Sequence, residues 1–310
     1  MKYLSTFTGI GGFEKAIHNI IPNAKCVGYS EYDKFANQTY EKNFPQHKGK
    51  NLGNIERLVF DIDSKGKLVV NEARVRLLPD FDLLIGGPPC QDLSIAKGNR
   101  QGLAGEKSRL FFAYLEILRI KKPKYFLMEN VNSMSKEARE TINELLGVEC
   151  EVINSDKFTP QKRIRNYWFN WDLPELPKED GPRRSKLLVA WSRSTRYRCD
   201  KTGKVYSKKA EGRTSFVEQR KTRDGRANTL TTGRGCGSFS SKNYIEGGDE
   251  TGRSYERILT PNECEPLQGF PIGWTNGVSL GQQYKQIGNA VNVPTIEHIL
   301  KGVEKQIRLI

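Results

Sequence analysis

Three stretches of the chain carry residues whose types and spacing suit chemistry. The first is a thiol, Cys90, placed directly after Gly86-Gly87-Pro88-Pro89 and the apolar run 81–85. The run reads as a short buried strand, and two glycines followed by two prolines continue neither helix nor sheet. The thiol is therefore expected on a rigid turn at the carboxyl end of a parallel-type strand, the edge at which ligands of open α/β sheets collect. An isolated cysteine after a turn also reads as a plain buried residue, since free cysteine is among the most buried types. The second stretch is Glu129-Asn130-Val131, following the apolar strand 125–128. It is expected at the same sheet edge, one strand-helix-strand unit later. The third is Gln161-x-Arg163-x-Arg165, whose alternation puts three polar side chains on one face if the chain is extended. A solvated strand face would look the same. A nucleophile, a carboxyl that can share a proton and guanidinium groups that hold oxygen anions are the parts of nucleophilic catalysis.

Such groups need a frame, and the N-terminal third supplies one. Residues 2–7 read as a strand, Thr8-Gly9-Ile10-Gly11-Gly12 as a turn, and the residues after it as a helix. Strand, glycine turn and helix N-terminus make a cradle for a nucleotide-like ligand, because glycine lets the backbone approach closely. Glycine turns are also common between strand and helix with no ligand at all. A second strand, 25–30, ends in Glu31-Tyr32-Asp33, about twenty residues after the glycines, where an acid would bond a ribose hydroxyl. As a structural residue, Glu31 would face a helix dipole. Residues 56–79 read as a helix with connecting loops, 135–147 as an amphipathic helix, 151–158 and 166–171 as strands, and 294–308 as a last helix.

Composition narrows the partners. A length of 310 residues suits one large α/β domain with a smaller one. No run of 18 apolar residues occurs and the N-terminus lacks a signal-peptide core, so a soluble, cytoplasmic protein is expected. The six cysteines form no CxxC pair and there are three histidines; neither a metal site nor a disulfide framework is expected. The formal charge is +14, and residues 182–245 alone hold 17 Lys and Arg against 4 Asp and Glu. A field focused in one segment favours a polyanion, with counterion release supplying affinity. No amphipathic helical pattern there supports a membrane surface.

Gly-Gly-Pro-Pro-Cys-Gln-x-x-Ser at residues 86–94 resembles the nucleophile motif of the DNA (cytosine-5) methyltransferases. The other motifs of that family follow in its order. Phe7-x-Gly9-x-Gly11-Gly12 and Glu31 resemble the first two; Ser5 stands where the family usually has an acid. Gly53-Asn54-Ile55 stands where it has Gly-Asp-Ile, so that Asn54 keeps a carbonyl acceptor but brings no charge. Gly102-Leu103-x-Gly105 with Ser108-x-Leu110-Phe111 resembles the end of the loop that closes over DNA. Glu129-Asn130-Val131 matches unchanged, and Thr229-Leu230 resembles the short pattern shared by target-recognition regions. Leu267 to Pro271 and Gln286-x-Gly288-Asn289-x-Val291 resemble the closing motifs.

The resemblance implies a Rossmann-like S-adenosylmethionine-dependent domain over 1–171, a small, irregular, basic target-recognition domain over 172–256, and a return to the catalytic domain over 257–310. It implies transfer of a methyl group from S-adenosylmethionine to carbon 5 of a cytosine flipped out of double-stranded DNA. Cys90 would be the nucleophile, with Glu129, Arg163 and Arg165 completing the catalytic set. Phe7, Gly9, Gly11, Gly12, Glu31, Tyr32, Asn54, Ile55, Pro88, Leu110 and Asn289 would meet the cofactor. Ser94, Gln161, Thr229, Arg193, Arg196, Arg226 and Arg234 would meet DNA. A monomer, with a cognate restriction endonuclease as its partner, is the expectation. A tRNA-acting enzyme of the same fold is one alternative, although the late Cys-Phe-Thr motif of such enzymes is absent. A non-catalytic DNA-binding regulator is another, which loss of Cys90 or Glu129 would mark; both are present.

Overall fold

The computed structural model describes residues 1–89, 106–179, 181, 227, 229–232, 244–248 and 254–308. Two compact units share the chain. The first comprises Met1–Asn154, Ile164–Glu175 and Thr295–Ile310, the second Ser155–Arg163 and Leu176–Pro294. These cuts follow compactness and differ from the boundaries at 172 and 256 that the resemblance implies.

The first unit is built on a six-stranded sheet, which gives the expected α/β class. Its strands are β1 (Lys2–Thr6), β2 (Lys25–Ser30), β5 (Leu83–Gly86), β6 (Tyr125–Val131), β7 (Glu151–Asn154) and β8 (Ile164–Phe169), in spatial order β2-β1-β5-β6-β8-β7. The pairs β1/β2, β1/β5 and β5/β6 are parallel, while β8 runs antiparallel to both neighbours. All four residues of β5 are buried, the signature of a parallel strand covered on both faces. Helices α1 (Gly12–Ile20), α2 (Lys34–Asn43), α3 (Ile55–Val59), α4 (Glu72–Arg76), α5 (Glu106–Lys121) and α6 (Lys136–Leu146) belong to this unit. Local chemistry sets their ends. Asp33 Oδ1 accepts from Phe35 N and Ala36 N at the start of α2. Ser135 caps α6, and Gly147 closes it in the left-handed region. The core packs Leu84, Phe111, Tyr114, Phe126, Met128 and Trp168 together.

In the second unit Ala227, Leu230, Leu259, Cys264, Leu267, Tyr284 and Ile287 form a separate core. Helices α7 (Pro261–Leu267) and α8 (Leu280–Asn289) and the hairpin β9 (Tyr244–Gly248) and β10 (Ser254–Ile258) lie in its chain segment. Thr260 and Glu263 form a reciprocal capping box at α7. The last helix, α9 (Val293–Arg308), belongs from Thr295 onward to the first unit. There Ile299 O accepts from Trp171 Nε1 at 2.9 Å, and Asn19 of α1 bonds Glu297.

Three local expectations are corrected. Residues 56–79 contain, between α3 and α4, an antiparallel hairpin of β3 (Phe60–Ile62) and β4 (Leu68–Val70). Its turn is held by Asp63 Oδ1, which accepts from Lys65 N and Lys67 N, with Gly66 at φ 74°. That is turn chemistry within a stretch whose charges resemble a helix. Strand β7 stops at Asn154 because Ser155 begins a tight turn, with its hydroxyl donating to Gln161 O at 2.8 Å. Strand β6 runs through Glu129 to Val131 rather than ending before them, since β8 continues to pair with it. Among the described residues no helix is long and apolar enough to cross a membrane.

Candidate active site

The carboxyl ends of β1, β2, β5 and β6 gather the site. Gly86 pairs with Met128, so the next residue of each strand, Gly87 and Glu129, lie side by side. A Cβ at Gly87 would stand 3.2 Å from Glu129 Oε2; the bare glycine leaves the carboxylate its room. Glu129 in turn meets Arg165, whose Nε lies 3.1 Å from Oε1, with both side chains mostly buried. In the β6/β8 register Arg165 faces Val131 and Glu129 faces Tyr167, which makes the ion pair a diagonal cross-strand contact. Arg165 is further fixed by Nη1, which donates to Ile164 O at 2.8 Å.

Asn130, one residue on, is buried and points the other way. Its Nδ2 donates to Pro88 O at 2.8 Å, and its Oδ1 accepts from Val131 N at 2.8 Å. The turn that leads into Cys90 is thereby tied to the strand that carries Glu129. Pro88 is buried and Pro89 exposed. Cys90 itself lies outside the described residues.

At the end of β1 the chain turns through Phe7 (φ 55°), Gly9 (φ 55°) and Gly11 (φ 84°). Glycine is required at position 11, where a Cβ would collide with the Phe44 ring. The positive φ at Phe7, rare for a non-glycine residue, marks a turn held by its surroundings. Above Gly9 the space is open. Glu31 closes this turn: its Oε2 accepts from Gly9 N at 2.8 Å and its Oε1 from Asp33 N at 2.7 Å. Burial pushes the Glu31 carboxyl above its usual range, against the hydrogen bonds from Asp33 and Gly9 that favour the charged form. Tyr32 is 79% exposed beside it. An open glycine turn, a fixed carboxylate and a free aromatic face fit a ligand with ribose and base.

Asn51, which the sequence reading passed over, organises this loop pair. Its Oδ1 accepts from Glu31 N and Gly53 N, and its Nδ2 donates to Glu31 O and Asn37 Oδ1. Its only sequence signal is an asparagine between two glycine-bearing loops. Asn54 caps α3, with Oδ1 accepting from Glu56 N at 2.8 Å. Ile55 is buried within the core cluster, against which Phe7 and Leu110 pack from partly buried positions.

The sequence profile of C-5 cytosine-specific DNA methylases matches residues 1–305. The chain belongs to that family. It is 30% identical to the type II methyltransferase M.HpaII of Haemophilus parainfluenzae, over 95% of this chain and 87% of the relative. With M.NlaX of Neisseria lactamica it shares 30% identity over 98% and 96% of the two chains. Among solved structures, the S. pombe Dnmt2 methyltransferase superposes with a TM-score of 0.71 at 19% identity, covering both chains completely; that likeness concerns the fold.

Two residues expected at the substrate of this cytosine methylase have other tasks in the second unit. Arg163 is buried, and its guanidinium donates to Leu230 O (3.0 Å), Gly288 O (3.2 Å) and Ala290 O (2.8 Å). Gln161 is fully buried, with its amide oxygen accepting from Leu230 N at 2.8 Å and its nitrogen donating to Gln268 Oε1 at 3.0 Å. Gln161, Arg163 and Arg165 therefore do not share one solvated polar face: the first two are spent on groups of the second unit, whereas Arg165, in β8, pairs with Glu129. Thr229 Oγ1 donates to Lys162 O at 2.7 Å, and Asn289 is exposed at the end of α8. Ser94, Arg193, Arg196, Arg226 and Arg234 lie outside the described residues.

Proposed function

We propose that the chain is a sequence-specific DNA (cytosine-5) methyltransferase whose nucleophile is Cys90, with S-adenosylmethionine as methyl donor and double-stranded DNA as substrate. The observation that carries this reading is the Glu129–Arg165 ion pair beside Gly87, with Asn130 anchoring Pro88 two residues before Cys90. Carbon 5 of cytosine is a poor nucleophile until the ring is activated. The Cys90 thiolate adds to carbon 6, forming a C–S bond and pushing the ring electrons toward carbon 5. Glu129 accepts from the exocyclic amine and, having taken up a proton when the base is bound, donates it toward ring nitrogen 3 as charge develops there. Arg165 holds the Glu129 carboxylate in place and offers its remaining donors to the exocyclic oxygen. S-adenosylmethionine held at the glycine turn would supply an electrophilic methyl for carbon 5, its S–CH3 bond breaking to leave the neutral thioether. Loss of the carbon 5 proton then expels the Cys90 thiolate and restores the aromatic ring.

The cradle for that group is the turn from Phe7 to Gly12, with Glu31 for the ribose hydroxyls and Tyr32 for the base. Proximity between the two bound partners supplies much of the acceleration. A stacked base cannot present both faces, so the cytosine must be extruded from the duplex. Residues 172–256, with their excess of lysine and arginine, are the target-recognition region in this reading, gripping phosphates and reading base edges. Gln161 and Arg163 support that region from within. The type II relatives make a cognate restriction endonuclease the natural partner.

The test is covalent trapping on DNA containing 5-fluorocytosine in the presence of S-adenosylmethionine. Fluorine cannot leave as the proton does, so the intact protein gains the mass of the oligonucleotide, and Cys90→Ser does not. DNA binding across randomised sequence without any adduct would overturn catalysis in favour of a regulator. An adduct formed with tRNA alone would move the substrate to RNA.

A further inference from the structure

The first unit has a second recess at the opposite edge of its sheet from the glycine turn. Lys2 opens β1 and Lys25 opens β2, whereas Thr6 and Ser30 end those strands at the proposed cofactor edge. At about 3.3 Å per strand residue the two edges are separated by roughly 13–17 Å. A cavity of about 730 Å³ lies at this amino edge, lined among others by Lys2, Lys25, Lys50, His18, His47 and Cys26. Its wall contains no Asp or Glu. Pockets for nucleotide-sized ligands run from about 300 to 1,000 Å³.

The cationic wall is built rather than incidental. Lys2 and Lys25 are direct register partners on adjacent parallel strands, and like charges placed side by side on a sheet cost stability. Lys50 Nζ donates to Cys26 O at 2.9 Å, which fixes a third ammonium group in the same wall. Of the carboxylates around it, Asp82 Oδ2 accepts from the Lys2 backbone N at 2.7 Å, Asp80 pairs with Lys121 at 2.9 Å and also feels Lys2, and the buried Glu14 acts on Cys26 from the inner side. The aromatic side is equally fixed. His47 stacks on Phe44 with centroids 5.4 Å apart and rings 5° from parallel. One nitrogen of each imidazole meets a tyrosine hydroxyl at 3.0 Å, His18 that of Tyr3 and His47 that of Tyr40. We propose that this cavity binds a phosphate-bearing anion of nucleotide size, with Lys2, Lys25 and Lys50 holding the phosphates. The proposal does not rest on the methyl-transfer reading.

His47 provides a built-in reporter. Burial, then His18 and Lys50, push its imidazole down to about 4, so the ring is neutral at pH 7, and Tyr40, Tyr3 and Phe44 are its other ring neighbours. An anion seated among the lysines favours its protonated form and moves its resonances.

The experiment titrates the whole protein with sodium tripolyphosphate, with ATP, and with a long duplex lacking any methylation site, following affinity by calorimetry and His47 by NMR. The comparison variants are Lys25→Gln/Lys50→Gln and, as an independent perturbation, Ala24→Glu, which places a carboxylate on the wall. Thermal melting verifies that each is folded, and methylation of a short duplex stays at the wild-type level. The expected result is at least a tenfold loss of tripolyphosphate affinity in both variants, together with a polyphosphate-induced shift of His47 in the wild type. An equal loss for ATP assigns the phosphates to a free nucleotide. A loss confined to the long duplex, with a salt slope smaller by about two phosphate contacts, overturns a nucleotide-sized ligand and leaves only a contact to flanking DNA. Affinities unchanged in the folded variants for all three probes overturn the proposal.

Discussion

Asn130 Nδ2 donates to the Pro88 carbonyl at 2.8 Å, across from β6 to the turn that follows β5. This bond connects the residue after Glu129 to the second residue before Cys90, the proposed nucleophile. Asn130→Ala leaves a buried carbonyl without its donor, at a cost of about 1–3 kcal/mol. The turn then loses its register. The expected outcome is a 10- to 100-fold fall in kcat with little change in cofactor affinity, measured by steady-state methylation and by binding of the cofactor alone.

The Glu129–Arg165 pair is mostly buried, and removing one partner of such a pair leaves an uncompensated charge. Arg165→Ala is expected to reduce kcat by a factor of about 100 or more, since the carboxylate loses its fixed orientation. A double-mutant cycle with Glu129→Gln is the decisive measurement. Strong non-additivity, with the double variant little worse than the worse single one, is expected for two residues that act as a unit. Additive losses would show that each residue acts alone.

Asn54 holds its side-chain oxygen against Glu56 N at the head of α3. Asn54→Asp keeps that cap and adds a negative charge at a helix N-terminus. A carboxylate also accepts more strongly from an adenine amine than an amide does. The expected result is a several-fold lower Kd for S-adenosylmethionine by calorimetry, with thermal stability equal or slightly higher. An unchanged Kd would remove Asn54 from the cofactor site.

Glu14 is completely buried in the first turn of α1. Burial pushes its carboxyl up to about 7, against the lowering influence of Ser5, its own backbone and Tyr40, with Glu31 adding to the rise. A folded-state pKa above the unfolded value means that the folded protein binds the extra proton. Stability conferred by the neutral form is complete below about pH 4.5 and is lost as pH rises toward 7. The shift corresponds to roughly 3 kcal/mol at most. Glu14→Gln, which mimics the neutral form, is expected to raise Tm at pH 8 and to converge on the wild type near pH 4.5, as followed by melting across that range.

Arg163 spends its guanidinium on three backbone carbonyls of the second unit. Arg163→Met strips these of their donor at once. The expected effect is a loss of about 3 kcal/mol or more, seen as a lower Tm and faster proteolysis, while Arg163→Lys recovers part of it. Activity at a temperature where the variant remains folded should fall far less than in Arg165→Ala. A normal Tm with lost activity would return Arg163 to the chemistry.

What the sequence made legible was local and patterned. Strand β1 alternates, β2 and β5 are largely apolar, and each is followed by glycine, proline or an acid, so their existence and their ends could be read directly. Glu31 was found because it follows such a strand, and Glu129 because it follows the apolar part of β6. The hairpin of β3 and β4 was not legible, because its strands are three residues each and its signal is a single Asp-x-x-Gly turn. Arg163 and Arg165 could not be told apart from sequence: both are arginines at alternate positions, and only their partners separate them, backbone carbonyls for Arg163 and Glu129 for Arg165. Asn51 and Asn130 act through hydrogen bonds to distant backbone, and an asparagine's spelling does not name its partner.

The return of α9 to the first unit has a consequence for biosynthesis. Ile296, Ile299, Leu300 and Val303 of that helix are buried, and Trp171 is bonded to it. The segment Leu176–Pro294 must therefore leave the ribosome before the sheet made by the earlier chain acquires its last covering helix. At about 5–20 residues per second, some 120 intervening residues impose a delay of roughly 6–25 s. During that interval Trp171 and the end of β8 await their cover. A nascent chain arrested before residue 293 should bind hydrophobic dyes and chaperones that the released protein ignores.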